Sequence, residues 1–224
     1  MDITLVIDYL ARWGHFLFGI TWIGLLFYFN FVQGEYFKEA EAPARVDAFT
    51  KLVPRALWYF RWGAMFTFLT GLILLGLRGA NSSVDIVIGA TLGTLMFLNV
   101  WLIIWPNQKI LIASNTQIKG GGQALPEAAA AGPKGALASR TNTLFSIPML
   151  FFMGSSVHLA SADGVGHGPI TTGRPVPIIV ALVIITILEA NAIFGKQGPM
   201  TTVRGVIVCG LVLSAVLWAV LGLL

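Results

Sequence analysis

Residues 12–24 read Arg-Trp-Gly-His-Phe-Leu-Phe-Gly-Ile-Thr-Trp-Ile-Gly, and the apolar run they open continues to Val32. A histidine in such a run is expensive in lipid and marks a functional position. Only one other histidine lies in an apolar segment, His158 in Ser155-Ser-Val-His-Leu. Each has a glycine four residues away: Gly19 after His15, and Gly154 before His158. Positions i and i+4 share a helical face, so each imidazole looks out over a patch free of side chains, where a flat ring fits. The reading is a haem b held between the first and fourth membrane helices, with His15 and His158 as its metal ligands.

The rest of the chain has the composition of a membrane protein. Hydrophobic residues make up 56% of the 224 residues and charged residues 11%, against roughly a quarter charged in soluble domains. The fold class expected is an all-α, polytopic membrane helix bundle forming a single integral membrane domain over 1–224. A net charge of +4 lies in loops and bears on topology; nucleic acid is not an expected partner, whereas the lipid membrane is. The lone Cys209 has no partner for an intrachain disulfide, and no CxxCH site for c-type haem occurs. Asp2 and Asp8 stand where a signal peptide would be basic, so the first segment is expected to stay in the mature protein.

Six apolar segments are long enough to span, giving helices at about 5–33, 56–78, 84–106, 142–161, 176–195 and 203–224. A short surface helix is expected near 44–52, and a flexible cytoplasmic loop over 110–140, with linker composition at 119–138. Orientation follows the basic residues. Lys38, Arg45, Lys51, Arg55, Arg61, Lys109, Lys119, Lys134, Arg140, Lys196 and Arg204 fall on one side; Arg12, Arg78 and Arg174 fall on the other. Eleven against three puts both termini outside, which in a bacterium means the periplasmic face of the inner membrane.

Depth supports a shared site, because His15 and His158 both lie near the outer ends of their helices. Arg12, one turn before His15, and Arg174, in the outer loop, are placed to pair with haem propionates. The bland alternatives are histidines that only hydrogen-bond a neighbouring helix, and glycines that only let helices approach. His167 reads as a loop residue.

A second polar group lies towards the inner side: Arg61, Asn107, Lys109, Glu189 and Asn191. Intramembrane charges usually pair, so Glu189 is expected to meet Arg61 or Lys109. A salt bridge pinning three helices is the main reading, with quinone binding or proton input as the functional one.

Three stretches resemble the membrane domain at the N-terminus of bacterial cytochrome c-linked urate oxidases: residues 12–29, Asn99-Val-Trp-Leu-Ile-Ile-Trp-Pro-Asn-Gln-Lys109, and Ser146-Ile-Pro-Met-Leu-Phe-Phe-Met with His158. The resemblance covers roughly residues 5–160. It implies an integral membrane domain that feeds electrons to a cytochrome c; since these 224 residues contain no CxxCH, that cytochrome is expected as a partner. The first helix also resembles those of the HemJ-type protoporphyrinogen oxidases and the CopD-type copper-resistance proteins. Three functions therefore compete: a haem b redox subunit serving a periplasmic cytochrome c, an accessory subunit of a larger membrane complex, and a HemJ-like porphyrinogen oxidase.

Overall fold

A computed structural model describes residues 2–161, 164–172 and 175–224. Seven helices organise them: α1 Ile3–Glu39, α2 Ala42–Lys51, α3 Val53–Arg78, α4 Val84–Lys119, α5 Ala128–His158, α6 Pro175–Phe194 and α7 Val203–Leu223. The fold is an all-α bundle, as the composition requires. Five helices, α1, α3, α4, α6 and α7, are long and apolar enough to cross a membrane.

The fourth expected span corresponds to α5, which falls outside that group because of what it buries. Arg140, Thr141, Asn142, Thr143, Ser146, Ser155 and Ser156 are all buried within the bundle. The helix packs on α4 and α7 most extensively, and also on α6 and α1. A central helix can carry polar groups that a lipid-facing helix cannot, since neighbouring helices supply the hydrogen bonds.

Sequence chemistry sets the helix ends. The Asp2 side chain accepts from the Thr4 backbone N–H at 2.9 Å, Ser83 from Ile86 at 3.3 Å and Thr202 from Gly205 at 2.9 Å, each satisfying an N-terminal donor that the helix leaves open. Pro43 and Pro54 stand in the first turns of α2 and α3, where a missing N–H is harmless. Gly79, at φ +52, closes α3. Two helices contain a π-helical turn, Tyr28–Gln33 in α1 and Asn99–Ile104 in α4. In α4 the turn precedes Pro106, whose ring cannot sit against the carbonyl four residues back. The ladder widens there, and Trp105 N–H donates to Val100.

The expected boundaries need correction at the end of the bundle that carries most of the basic residues. α1 continues past residue 33 to Glu39, and α4 past 106 to Lys119. The flexible loop placed at 110–140 shrinks to 120–127, because α5 begins at Ala128. Residues 128–131 are all alanine, the strongest helix former, and that outweighs the glycine and proline around them. The turn itself is tied, with Leu125 N–H donating to Ser114 Oγ at 3.0 Å. At 37 and 36 residues, α1 and α4 rise about 55 Å against a hydrocarbon core of about 30 Å. Their ends therefore project with α2 beyond the apolar layer. There Lys119 pairs with Asp47 at 3.3 Å, docking α2 on α4, and Arg140 faces Glu35 at 3.7 Å.

The core centres on Trp22, Leu26, Phe60, Leu92, Met96, Phe145 and Phe152. Glycine allows two close approaches of helix backbones. A Cβ on Gly63 would stand 3.2 Å from the Trp22 nitrogen, and one on Gly89 3.3 Å from that of Met153. α1 thus packs backbone to backbone on α3, and α4 on α5. These two pairs form the walls of the site.

Candidate functional site

A cavity of about 670 Å³ lies between the α1–α3 pair and the α4–α5 pair. His15 and His158, on different helices, both line it, as do Gly19, Gly154 and Arg12. From Arg12 to Gly24, both in its wall, α1 rises about 18 Å. Most of the lining is apolar: Phe16, Ile20, Phe68, Leu72, Leu75, Ile86, Met149, Leu150 and Met153 contribute. Phe16 and Ile20 are each 72% exposed, and Leu150 48%, so the rim faces the outside of the bundle.

His15 is half-buried, and its Nδ1 lies 3.1 Å from Thr70 Oγ1. The Thr70 hydroxyl has one proton, with two carbonyls within reach, Phe66 at 2.7 Å and Thr67 at 3.0 Å. With that proton committed to the backbone, Thr70 Oγ1 acts as acceptor and His15 Nδ1 as donor. The Nε2 lone pair is then free, which is the arrangement that readies an imidazole to bind a metal. Gly71 makes room for the ring: a Cβ there would stand 3.2 Å from His15 Cε1 and 3.6 Å from Nδ1.

The two glycines singled out in the sequence differ. A Cβ on Gly154 would meet nothing within 4 Å, whereas one on Gly19 would touch Thr67 Cγ2 at 3.9 Å. Gly154 therefore opens the cavity more than Gly19 does, and Gly24, also with nothing within 4 Å, extends it inward. His158 is exposed and is the last residue of α5, after which Leu159 turns extended.

The cations at the mouth are only partly those expected. Arg12 donates Nε and Nη2 to Asp8, at 2.6 and 2.9 Å, which fixes its guanidinium beside the cavity. Arg174 lies outside the described residues. Arg78, the last residue of α3, lines the cavity instead. Its position just before a chain-reversing glycine was the signal that could have marked it.

The second polar group does not assemble as one cluster. Glu189 takes neither Arg61 nor Lys109 as its partner: Asn99 Nδ2 donates to Glu189 Oε2 at 3.1 Å and to Asn142 Oδ1 at 3.0 Å, and Asn142 Nδ2 donates to the Met96 carbonyl at 2.9 Å. The Arg61 guanidinium lies 3.4 Å from the Trp105 ring centroid, and Lys109 Nζ 5.6 Å from it. An aromatic face attracts a cation without neutralising it, and the carboxylate is left to the Asn99 amide. Asn107 donates to Ile103 in its own helix at 2.7 Å. Asn191 caps α6 through two bonds with Lys196.

A third group escaped the sequence reading. Asp85, in the first turn of α4, is fully buried. Its Oδ2 accepts from the His167 backbone N–H at 2.7 Å and pairs with His167 Nδ1 at 2.8 Å, and Ser155 Oγ donates to Oδ1. His167 is thus more than a loop residue. The missed signal was the carboxylate opening an apolar segment, which requires a partner.

No curated protein and no solved structure matches the chain. The model of one family, described as urate oxidase N-terminal, matches residues 78–215. The match runs from Arg78 into α7, so it includes His158, Asp85, Asn99 and Glu189. It begins and ends later than the 5–160 over which the resemblance was expected, and His15 lies before it. Covering more than half of the 224 residues, it identifies the chain as a member of the urate oxidase N-terminal family.

Proposed function

We propose that this membrane protein is a haem b-binding redox subunit that passes electrons to a cytochrome c at the outer face of the bacterial inner membrane, with both termini periplasmic. The observation that carries the reading is that two membrane histidines on different helices line one apolar cavity of about 670 Å³, within the range of small-molecule and cofactor sites. Among the described residues no three His, Cys, Asp or Glu side chains gather to hold a bare metal ion. Two imidazoles suit a group that brings its own equatorial donors, as haem does.

Within this reading His15, oriented through Thr70, would offer Nε2, and His158, at the end of α5, would be the second ligand. Arg78 at the mouth, with Arg12 already paired to Asp8, would leave one net positive charge there for a carboxylate. The apolar walls would keep water from a bound ring, and Gly154 would leave space for it. Haem, when bound, supplies a one-electron iron couple. The charge asymmetry between the two sides supports the orientation, and the long polar extensions of α1, α4 and α5 fit the inner side. The carrier's partner is read as a membrane-held cytochrome, because three outer arginines are too few to steer a diffusing one strongly.

The test is a reduced-minus-oxidised spectrum of the purified chain, with haem quantified as its pyridine haemochrome. One b-type haem per chain is expected. A chain that folds, remains monodisperse and carries no haem when expressed with ample haem supply would leave the accessory-subunit reading in its place.

A further inference from the structure

His158 is the terminal residue of α5. A helix end frays, since its last carbonyls lack intrahelical partners, and such an end is a poor mount for a ligand that must hold its angle. The structure supplies a mount next to it. Ser155, three residues earlier, donates to Asp85 Oδ1. On the other oxygen, His167 presents both its backbone N–H and Nδ1. The loop carrying His167 is tied down on both sides: Gly166 N–H donates to the Leu159 carbonyl at 2.7 Å, and Val84 N–H to Gly168 at 3.0 Å. From α7, Trp218 meets the His167 ring edge-on with centroids 5.9 Å apart.

A fully buried carboxylate is costly unless it is well hydrogen-bonded, and here two donors come from the outer loop and one from the last turn of α5. We infer that Asp85 and His167 are positioning residues for His158. Their shared hydrogen bonds clamp the end of α5 to α4 and to the outer loop, and so hold the His158 imidazole towards the cavity. This role rests on the proposal that His158 is a haem ligand.

The geometry offers a matched pair of variants. Asparagine places its Nδ2 near the position of a histidine Nδ1, so His167→Asn keeps a donor to Asp85, whereas His167→Ala loses it. The experiment compares the full chain, His167→Ala, His167→Asn and Asp85→Asn by amide hydrogen exchange and by haem spectrum. In His167→Ala, exchange at 156–168 should rise on the order of tenfold while α1 is unchanged, and the low-spin spectrum should turn largely high-spin with haem still held by His15. His167→Asn should restore both signals. Should Asp85→Asn fail to insert, the two His167 variants decide the matter.

Faster exchange with an unchanged low-spin spectrum would overturn the proposal, since the clamp would then hold only the loop. Unchanged exchange in His167→Ala would overturn it too. A wild-type chain without haem refutes the cavity reading and the positioning role together; the exchange data, which need no haem, still show separately whether the clamp exists.

Discussion

Gly71→Ala should change the His15 environment without unfolding the protein. The added methyl would stand 3.2 Å from His15 Cε1 and 3.6 Å from Nδ1, where carbon contacts prefer about 3.5–4.0 Å. The ring must retreat by a few tenths of an ångström, which stretches its 3.1 Å contact with Thr70. Overpacking of this kind costs about 1–3 kcal/mol, and a weakened hydrogen bond up to about 1.5 kcal/mol. Replacing glycine by alanine in a helix returns about 1 kcal/mol. The net is a loss of about 0–3.5 kcal/mol, below the 5–15 kcal/mol of a typical domain. The assay is paired: thermal unfolding in detergent, and haem content with spectrum on the same sample. A small fall in Tm with a shifted or depleted haem spectrum is expected. A variant with wild-type Tm, haem content and spectrum would refute the claim that Gly71 exists to seat the His15 ring.

Gly154→Leu should lower haem occupancy more than Gly19→Leu at equal expression, because the first projects into open cavity and the second first meets Thr67; equal haem content in both would contradict this ordering. Asn99→Ala removes the donor shared by Asn142 and Glu189. It should destabilise the bundle by about 1–3 kcal/mol per acceptor left buried, read as a lower Tm that Asn99→Asp does not restore, since an ionised aspartate lacks the donor. Hydrogen bonds from Lys51 and then Lys119 hold the Asp47 carboxyl below its ordinary value of 3.8. For a lowered folded pKa the stabilising contribution is complete above the ordinary value and fades as pH falls through the lower one. This contribution to the docking of α2 on α4 should therefore be lost only as the pH falls below the ordinary carboxylate range, whereas Lys119→Ala, which removes the docking pair, should loosen α2 at neutral pH as well. An unchanged acid profile of exchange at 42–51 would count against it.

The sequence made the long apolar helices legible because lipid restricts both length and composition. It also brought Arg12, His15, Gly19, Gly154 and His158 to one end, and these line one cavity. That worked because helical periodicity and the alternating direction of successive spans together set depth along each one. What it missed has physical causes as well. Ala128–Ala131 looked like linker when read beside its glycines and prolines, yet alanine's propensity begins α5 there. Glu189 was expected to meet a cation because a buried charge needs company, but the Asn99 amide supplies it while the Trp105 face holds Arg61 and Lys109. The Asp85–His167 pair joins residues 82 positions apart, a distance that no local pattern reveals. α3 and α4 as cavity walls depend likewise on packing at Gly63 and Gly89, which only tertiary structure displays.

Electron paramagnetic resonance of the oxidised, purified chain decides whether His15 and His158 bind one haem from different helices. The wild type should give a low-spin ferric signal. His15→Ala and His158→Ala should each convert it to high-spin, and the double variant should carry no haem. A low-spin signal that persists unchanged in either single variant would contradict the claim.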